Sequence, residues 1–341
     1  MFNVQKSVFY PLVIGHQKQF QFLQAAKESG RLGHAFIFSG PARIGKKTAA
    51  LEWLSRIFGT PLSAGSAHPD FLFVAPLFDP KTEKIADEIT VDQIRGLIRK
   101  LSLKPALGSY KAAVIDEAHL MNSEAQNALL KTLEEPPGDA LIVLIAQNSQ
   151  RLLETIRSRC QTIQFNFVGS MELEGLAKDL SLGSGAKLDE SVVREAVELS
   201  FGRPGKLAEF IADPSLVKKR QASAKEFAQA AKSDLSERFI YGAKIVESGN
   251  IAETIEIWQY HFRNLLLEAL KPAKVAPCEV ASCDLGKTEL QFSFSKLKDG
   301  GNGQSPEKIG AILKKIHDLS VILQTTNASP KLAIENFMLD L

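Results

Sequence analysis

Ala35-Phe36-Ile37-Phe38-Ser39-Gly40-Pro41-Ala42-Arg43-Ile44-Gly45-Lys46-Lys47-Thr48-Ala49-Ala50-Leu51-Glu52-Trp53-Leu54 is the stretch on which the fold turns. Four apolar residues, Ala35 to Phe38, read as a buried strand, and Thr48 to Leu54 as the body of a helix. Between them Gly40, Pro41, Ala42, Arg43, Ile44, Gly45, Lys46 and Lys47 form a Gly-x4-Gly-Lys loop. In that strand–loop–helix setting the glycines let the backbone wrap a phosphate, the helix N-terminus offers its free N–H groups, and Lys46 neutralises charge. One position departs from the pattern. The residue after the loop lysine ordinarily carries a hydroxyl that holds magnesium, and here it is Lys47. Thr48 stands one place further on, turned about 100° around the helix. The loop is therefore expected to cradle phosphates, or to be a remnant that has lost them, while any ATP and magnesium use is weak or vestigial.

Outward from the loop, Phe71-Leu72-Phe73-Val74, Ala112-Ala113-Val114-Ile115, Leu141-Ile142-Val143-Leu144-Ile145 and Thr162-Ile163-Gln164-Phe165 are further apolar runs separated by helical periodicities. Such runs predict an α/β domain whose parallel five-stranded sheet is covered on both faces, ending near residue 166. Beyond it Met171 to Leu180 and Ser191 to Leu199 predict short helices, and Gly202-Arg203-Pro204-Gly205 interrupts them, so a small helical domain is expected over 167–213. The remainder, 214–341, is expected to be all-α. Ile255, Trp258, Phe262, Leu265, Leu266 and Ala269 make one apolar stripe, and Ile312, Ile316, Leu319 and Leu323 another. Gly300 to Gln304 read as a loop, with Ser305-Pro306 opening the next helix.

The 341 residues carry 45% hydrophobic side chains and a formal net charge of +2, so any nucleic-acid contact must be local rather than a property of the whole surface. Cys160, Cys278 and Cys283 lack metal-ligand spacing and suit a reducing cytoplasm better than a disulfide framework. No leader-like or bilayer-length apolar run is present in the sequence. The six histidines show no metal spacing, and no serine–histidine–acid arrangement suggests acyl transfer.

Asp116 and Glu117 follow the strand Ala112 to Ile115, at the end where parallel sheets place their ligand sites. Beside a phosphate loop, Asp116 is a candidate metal contact and Glu117 a candidate for polarising the attacking water, with His119 as a supporting hydrogen-bond partner. Asn122 to Pro137 read as a well-punctuated amphipathic helix in which Ser123 and Gln126 suggest a capping box. Thr155-Ile156-Arg157-Ser158-Arg159-Cys160 sets two arginines just before the last strand, within reach of a phosphate on an adjoining subunit. On the helix expected from Val91 to Leu101, Val91, Ile94, Leu97, Ile98 and Leu101 form the core stripe and leave Arg95, Arg99 and Lys100 on a basic face that can follow DNA phosphates or simply be solvated.

Asn127-Ala128-Leu129-Leu130-Lys131-Thr132-Leu133-Glu134-Glu135-Pro136-Pro137 followed by Ser158-Arg159-Cys160 resembles the bacterial clamp-loader branch of the AAA+ ATPases. Ile14-Gly15-His16-Gln17, Gly30 to Ala35, His68-Pro69-Asp70, Asp92 to Arg95, Leu103-Lys104-Pro105 and Leu332 to Glu335 extend the likeness, which is dense from Ile14 to Phe165 and thin in the helical remainder. The resemblance implies an AAA+ domain, a helical lid and a C-terminal collar that holds a hetero-pentameric ring with gamma/tau-type and delta-type subunits, acting on a sliding clamp and primed DNA. It implies that Arg159 is an arginine finger working in trans on a neighbour's ATP, that Asn148, or Gln147 by spacing, is a polar sensor, and that Arg203 or Lys206 stands near the second sensor. Lys47 points away from a motor subunit and from an autonomous helicase or helicase loader, although the intact acidic pair leaves some hydrolysis open. Many relatives carry a zinc cluster, whereas no cysteine lies between Lys46 and Asp116, so zinc is not expected.

Overall fold

The computed structural model describes residues 13–79, 84–108, 110–184, 189–270, 305–325 and 328–339. The chain divides into two compact units, Met1–Pro214 and Ser215–Leu341. The first begins with α1 (Gln17–Glu28), β1 (Ala35–Ser39), α2 (Lys46–Phe58) and β2 (Phe71–Val74). A two-stranded antiparallel hairpin, β3 (Phe78–Asp79) with β4 (Lys84–Ile85), leads to α3 (Val91–Leu101) and β5 (Lys111–Ile115). Then come α4 (Ser123–Glu134), β6 (Ala140–Ala146), the single turn α5 (Glu154–Arg157) and β7 (Gln161–Gln164). Three helices close the unit: α6 (Ser170–Ser184), α7 (Glu190–Ser200) and α8 (Pro204–Ala212).

The five long strands form one sheet in the order β2-β5-β6-β1-β7, all parallel. Every residue of β1, β5 and β6 is buried, which is why these strands read as unbroken apolar runs rather than as alternating ones. One face carries Ile37, Ala113, Ile115, Ile142 and Leu144 against α3 and α4; the other carries Phe36, Phe38, Val114 and Val143 against Trp53 and Leu54 of α2. Register brings Ile115 level with Leu144, and Leu144 level with Ile37. The carboxyl ends of β5, β6 and β1 therefore open at one height, and the segments that follow them share one crevice.

Helix α3 spans the expected residues, with Ile94, Leu97 and Leu101 buried and Val91 and Ile98 half-buried. Its start is fixed by Gln93, whose Oε1 accepts the Thr90 N–H at 3.0 Å while its Nε2 donates to the Ala75 carbonyl at 3.0 Å. The capping box expected at Ser123 and Gln126 is not formed. Asn122 caps α4 instead, accepting the Ala125 N–H at 2.9 Å. Gln126 is buried and turns inward, donating to the Met121 carbonyl at 3.0 Å and accepting the Leu153 N–H at 2.8 Å, so its amide links α4 to the turn that leads into α5. The β3–β4 hairpin has no counterpart in the sequence reading, because two-residue strands are too short to show a period.

The second unit packs α9 (Ser215–Ala230), α10 (Leu235–Ser248), α11 (Ile251–Ala269), α12 (Pro306–Thr325) and α13 (Pro330–Leu339). Both apolar stripes read from the sequence lie in its core, around a fully buried Trp258 whose ring stacks on Phe227 at 5.0 Å and Phe337 at 4.9 Å. Gly300 to Gln304, Cys278 and Cys283 lie outside the described residues. No helix among the described residues is long and apolar enough to cross a membrane.

Candidate functional site

The turn after β1 is shaped by two glycines in different ways. Gly40 has φ 154°, and a Cβ there would stand 2.3 Å from the Phe165 carbonyl oxygen, so the backbone passes through a gap that only glycine fits. Gly45, with φ 99° and open space around it, supplies the left-handed turn that starts α2. The loop between them is tied from three sides. His16, buried, bonds through Nε2 to the Ile44 carbonyl at 2.9 Å and packs edge-on against Phe165; its desolvation there lowers its pKa. Phe165 N–H donates to Ser39 at 2.7 Å. On the far side Arg43, itself at φ 60°, accepts the Gly205 N–H on its carbonyl at 2.9 Å and forms an ion pair with Glu209 of α8.

Lys46 is 6% exposed and folds back over the loop, its Nζ donating to the Gly40 and Pro41 carbonyls, each at 2.6 Å. Burial pulls its pKa down to about 8, against the opposing pull of Glu117 and Asp116, and the positive charge of Arg203 adds to the depression. Arg203 thus stands in electrostatic reach of the loop lysine, while its guanidinium also lies 5.7 Å from the Phe167 ring centre. Lys206 opens α8 beside it, its N–H bonded to the Arg203 carbonyl at 3.1 Å.

The acidic pair lies across β6 from the loop. Asp116 donates its N–H to Val74 at 2.8 Å, extending the sheet by one residue, and Glu117 takes the left-handed conformation at φ 50°. Burial and the neighbouring Asp116 raise the Glu117 pKa, and a hydrogen bond from Gln147 partly offsets them. That bond, Nε2 to Oε2 at 3.3 Å, decides which polar residue after β6 faces the carboxylates. It is Gln147; Asn148 instead caps the next turn by accepting the Gln150 N–H at 2.9 Å. His119, with 4% of its side chain exposed, sits 3.5 Å from Glu117, and burial lowers its pKa to about 4, which keeps it neutral.

Lys47 completes the arrangement. Its Nζ is 3.2 Å from Asp116 Oδ2 and 4.8 Å from the centre of the Phe73 ring. The residues therefore do not suit a magnesium ion: the hydroxyl that would bind it is replaced by an ammonium, and that ammonium already holds the carboxylate that would assist. They do suit phosphate oxygens, which Lys46 can take in exchange for its two carbonyls.

Arg159 lies apart from this crevice, between α5 and the edge strand β7. Its Nη2 meets Glu134 Oε1 at 2.5 Å and its Nη1 donates to the Thr155 carbonyl at 3.0 Å. The side chains of Arg159 and Glu134 are 35% and 48% exposed, so the pair faces solvent. Glu134 was not singled out from the sequence; it is one of several acids in the Leu133-Glu134-Glu135-Pro136-Pro137 turn, and no periodicity marks which of them meets an arginine 25 residues on. Arg95, Arg99 and Lys100 fall on the outer side of α3, with Arg95 3.8 Å from Asp92.

Residues 15–168 match the family model described as DNA polymerase III, delta subunit. Among curated proteins, the DNA polymerase III subunit delta' of Pseudomonas aeruginosa is 35% identical over 187 residues, covering 50% of this chain and 53% of that one. The subunit delta' of Bacillus subtilis is 36% identical over 193 residues, covering 51% and 55%. The subunit tau of Bacillus subtilis is 32% identical over 181 residues, covering 48% and 30%. The chain thus spans about half the length of the delta' relatives it matches. A crystal structure of a DNA polymerase III gamma subunit-related protein from Thermotoga maritima superposes at a TM-score of 0.44 with 19% identity, over 93% of this chain and 97% of that one, and adds nothing to the assignment. The likeness takes in the segment that holds the phosphate loop, the acidic pair and Arg159: residues 15–168 are similar to the DNA polymerase III delta-subunit family.

Proposed function

We propose that this chain is a clamp-loader subunit of the delta-prime type, which helps place a sliding clamp on primed DNA in the cytoplasm. In this reading it occupies a hetero-pentameric ring with gamma/tau-type and delta-type subunits, joined through the helices of 214–341, with 167–213 as the lid of the nucleotide domain. It contributes Arg159 in trans. The observation that carries the reading is the contrast between two sites on one domain. Arg159 stands half-exposed at the sheet edge, held by a solvent-facing acid and by exposed hydrogen bonds within its own turn, whereas the chain's own acidic strand end is engaged by Lys47. Such a domain is equipped to stabilise charge on a neighbour's nucleotide and poorly equipped to hydrolyse its own.

The mechanism follows from those positions. When a neighbouring subunit brings a nucleotide against the β7 edge, the Arg159 guanidinium exchanges Glu134 for phosphate oxygens, a two-pronged contact that its planar fork makes well. The finger then stabilises negative charge as the phosphoryl group is transferred. Gln147 and Glu117 remain as the strand-end pair through which the chain's own loop occupancy is felt, and Arg95, Arg99 and Lys100 offer a local basic face to DNA phosphates.

The intact Asp116–Glu117 pair favours a second reading, an ATP-hydrolysing motor subunit of the same assembly. Steady-state ATP hydrolysis separates the two. The delta-prime reading expects no hydrolysis by the chain alone and strong stimulation when it joins the other loader subunits, clamp and primed DNA. Robust hydrolysis by the isolated chain would promote the motor reading, and an assembled loader indifferent to the chain would remove the first.

A further inference from the structure

Three groups fix the Lys47 ammonium in one place. Asp116 Oδ2 holds it at 3.2 Å, the Phe73 ring lies beneath it at 4.8 Å, and the α2 backbone presents it from the position directly after the loop lysine. Phe73 is set there by β2, where it pairs in register with Val114 of β5, two residues before Asp116. The Asp116 side chain is only 13% exposed, so the pair is sheltered on the carboxylate side, while Lys47, 45% exposed, keeps an open side. A cation stands where a nucleotide fold ordinarily brings a divalent ion, and it is covalently part of the chain.

Charge supports the same conclusion. Asp116 and Glu117 place two carboxylates beside the loop, Lys46 and Lys47 place two ammonium groups against them, and Arg203 adds further positive charge, so the carboxylates are matched without an added ion. A divalent ion entering it meets an ammonium in the place of its hydroxyl ligand and finds its assisting carboxylate already paired. A polyphosphate meets the loop N–H groups, the α2 N-terminus, Lys46 and the open side of Lys47.

We propose, resting on the reading of Gly40–Lys46 as a nucleotide loop, that the loop binds nucleoside polyphosphate without a divalent metal, with Lys47 as the built-in counter-cation. A nucleotide held this way lacks the ion that bridges β- and γ-phosphates for transfer, so it is retained as a structural ligand rather than turned over.

Calorimetric titration of the full chain with ATP and with ADP, in EDTA and in excess magnesium, tests this directly. The unmodified chain is expected to bind with dissociation constants that agree within about threefold between the two buffers for ADP, and to bind ATP no more tightly with magnesium than without it. Lys47→Thr restores the hydroxyl and frees Asp116, and should make binding tighten by about tenfold or more on adding magnesium. Lys47→Ala, which has neither group, should weaken binding in both buffers. The proposal is overturned by tenfold tightening of the unmodified chain with magnesium, by its failure to bind nucleotide in either buffer, or by a Lys47→Thr chain as indifferent to the metal as its parent. Thermal melts of each variant establish that it is folded. The clamp-loader reading is judged separately, by hydrolysis at a neighbour's site, and either can fail while the other stands.

Discussion

Replacing Arg159 by alanine sets two magnitudes of very different size against each other. Within the isolated chain, Arg159 has an ion pair with Glu134 at 2.5 Å and hydrogen bonds to the Thr155 carbonyl at 3.0 Å and Ser158 Oγ at 3.3 Å, all near solvent. An exposed pair of this kind contributes about 1 kcal/mol or less, so the variant should fold with a melting temperature within a few degrees of the parent. In the role proposed for it, the same guanidinium stabilises a transition state in the assembled loader, an effect worth about 10³ to 10⁵ in rate, or roughly 4–7 kcal/mol. The cost of leaving Glu134 is therefore small beside the gain, and the pair restrains the finger without disabling it. Glu134→Gln removes the restraint and should raise the rate by no more than about fivefold, the equivalent of about 1 kcal/mol. Arg159→Lys keeps the charge but not the fork and should fall between parent and alanine. The assay is steady-state ATP hydrolysis by the reconstituted loader with clamp and primed DNA, read beside thermal melts of each chain. A loader carrying Arg159→Ala that hydrolyses ATP at the parental rate would refute the reasoning. So would a Glu134→Gln chain as impaired as the alanine variant, because the carboxylate would then be part of the active arrangement rather than a resting partner.

Gly40→Ala forces a Cβ to 2.3 Å from the Phe165 carbonyl oxygen, which cannot be relieved without moving the segment that follows β7; a loss of about 3 kcal/mol in urea unfolding is expected, while Gly45→Ala should cost less because its surroundings are open. His119, held neutral by burial with its pKa lowered to about 4, makes the chain more stable as pH rises: the unfolded chain takes up the proton below about 6.5 and the folded one only near 4. Stability should fall between those values by at most about 3 kcal/mol and level off below, and His119→Asn should flatten that slope in denaturant titrations. Charge reversal at Arg95 and Arg99 together should reduce DNA-stimulated hydrolysis by the loader and lower its dependence on salt, with no change in the unstimulated rate; an unchanged salt slope would remove α3 from the DNA path.

The sheet was legible because its strands are buried on both faces and so appear as unbroken apolar runs, and α3 was legible because a single apolar stripe runs from Val91 to Leu101. The loop and the acidic pair were legible for the same topological reason, since strand ends of a parallel sheet lie together whatever their separation in sequence. Pairings between side chains were not. Nothing local tells that Lys47 reaches Asp116, that Gln147 rather than Asn148 reaches Glu117, or that Arg159 chooses Glu134. Each depends on which way one residue turns at the end of a strand or helix, and a one-residue change of direction is below what periodicity resolves. Gln126 shows the converse: a plausible local cap gave way because its amide had two partners inside the fold.

Arg43 sits at the crown of the phosphate loop yet spends both its polar ends on α8, its carbonyl on the Gly205 N–H and its guanidinium on Glu209. Gly205 admits no side chain in that contact, since a Cβ would lie 2.8 Å from the Arg43 oxygen. The loop and the helix are thus geared together like two teeth. An occupant that re-shapes the crown pulls on both contacts at once, so a change in the loop is coupled to the placement of α8.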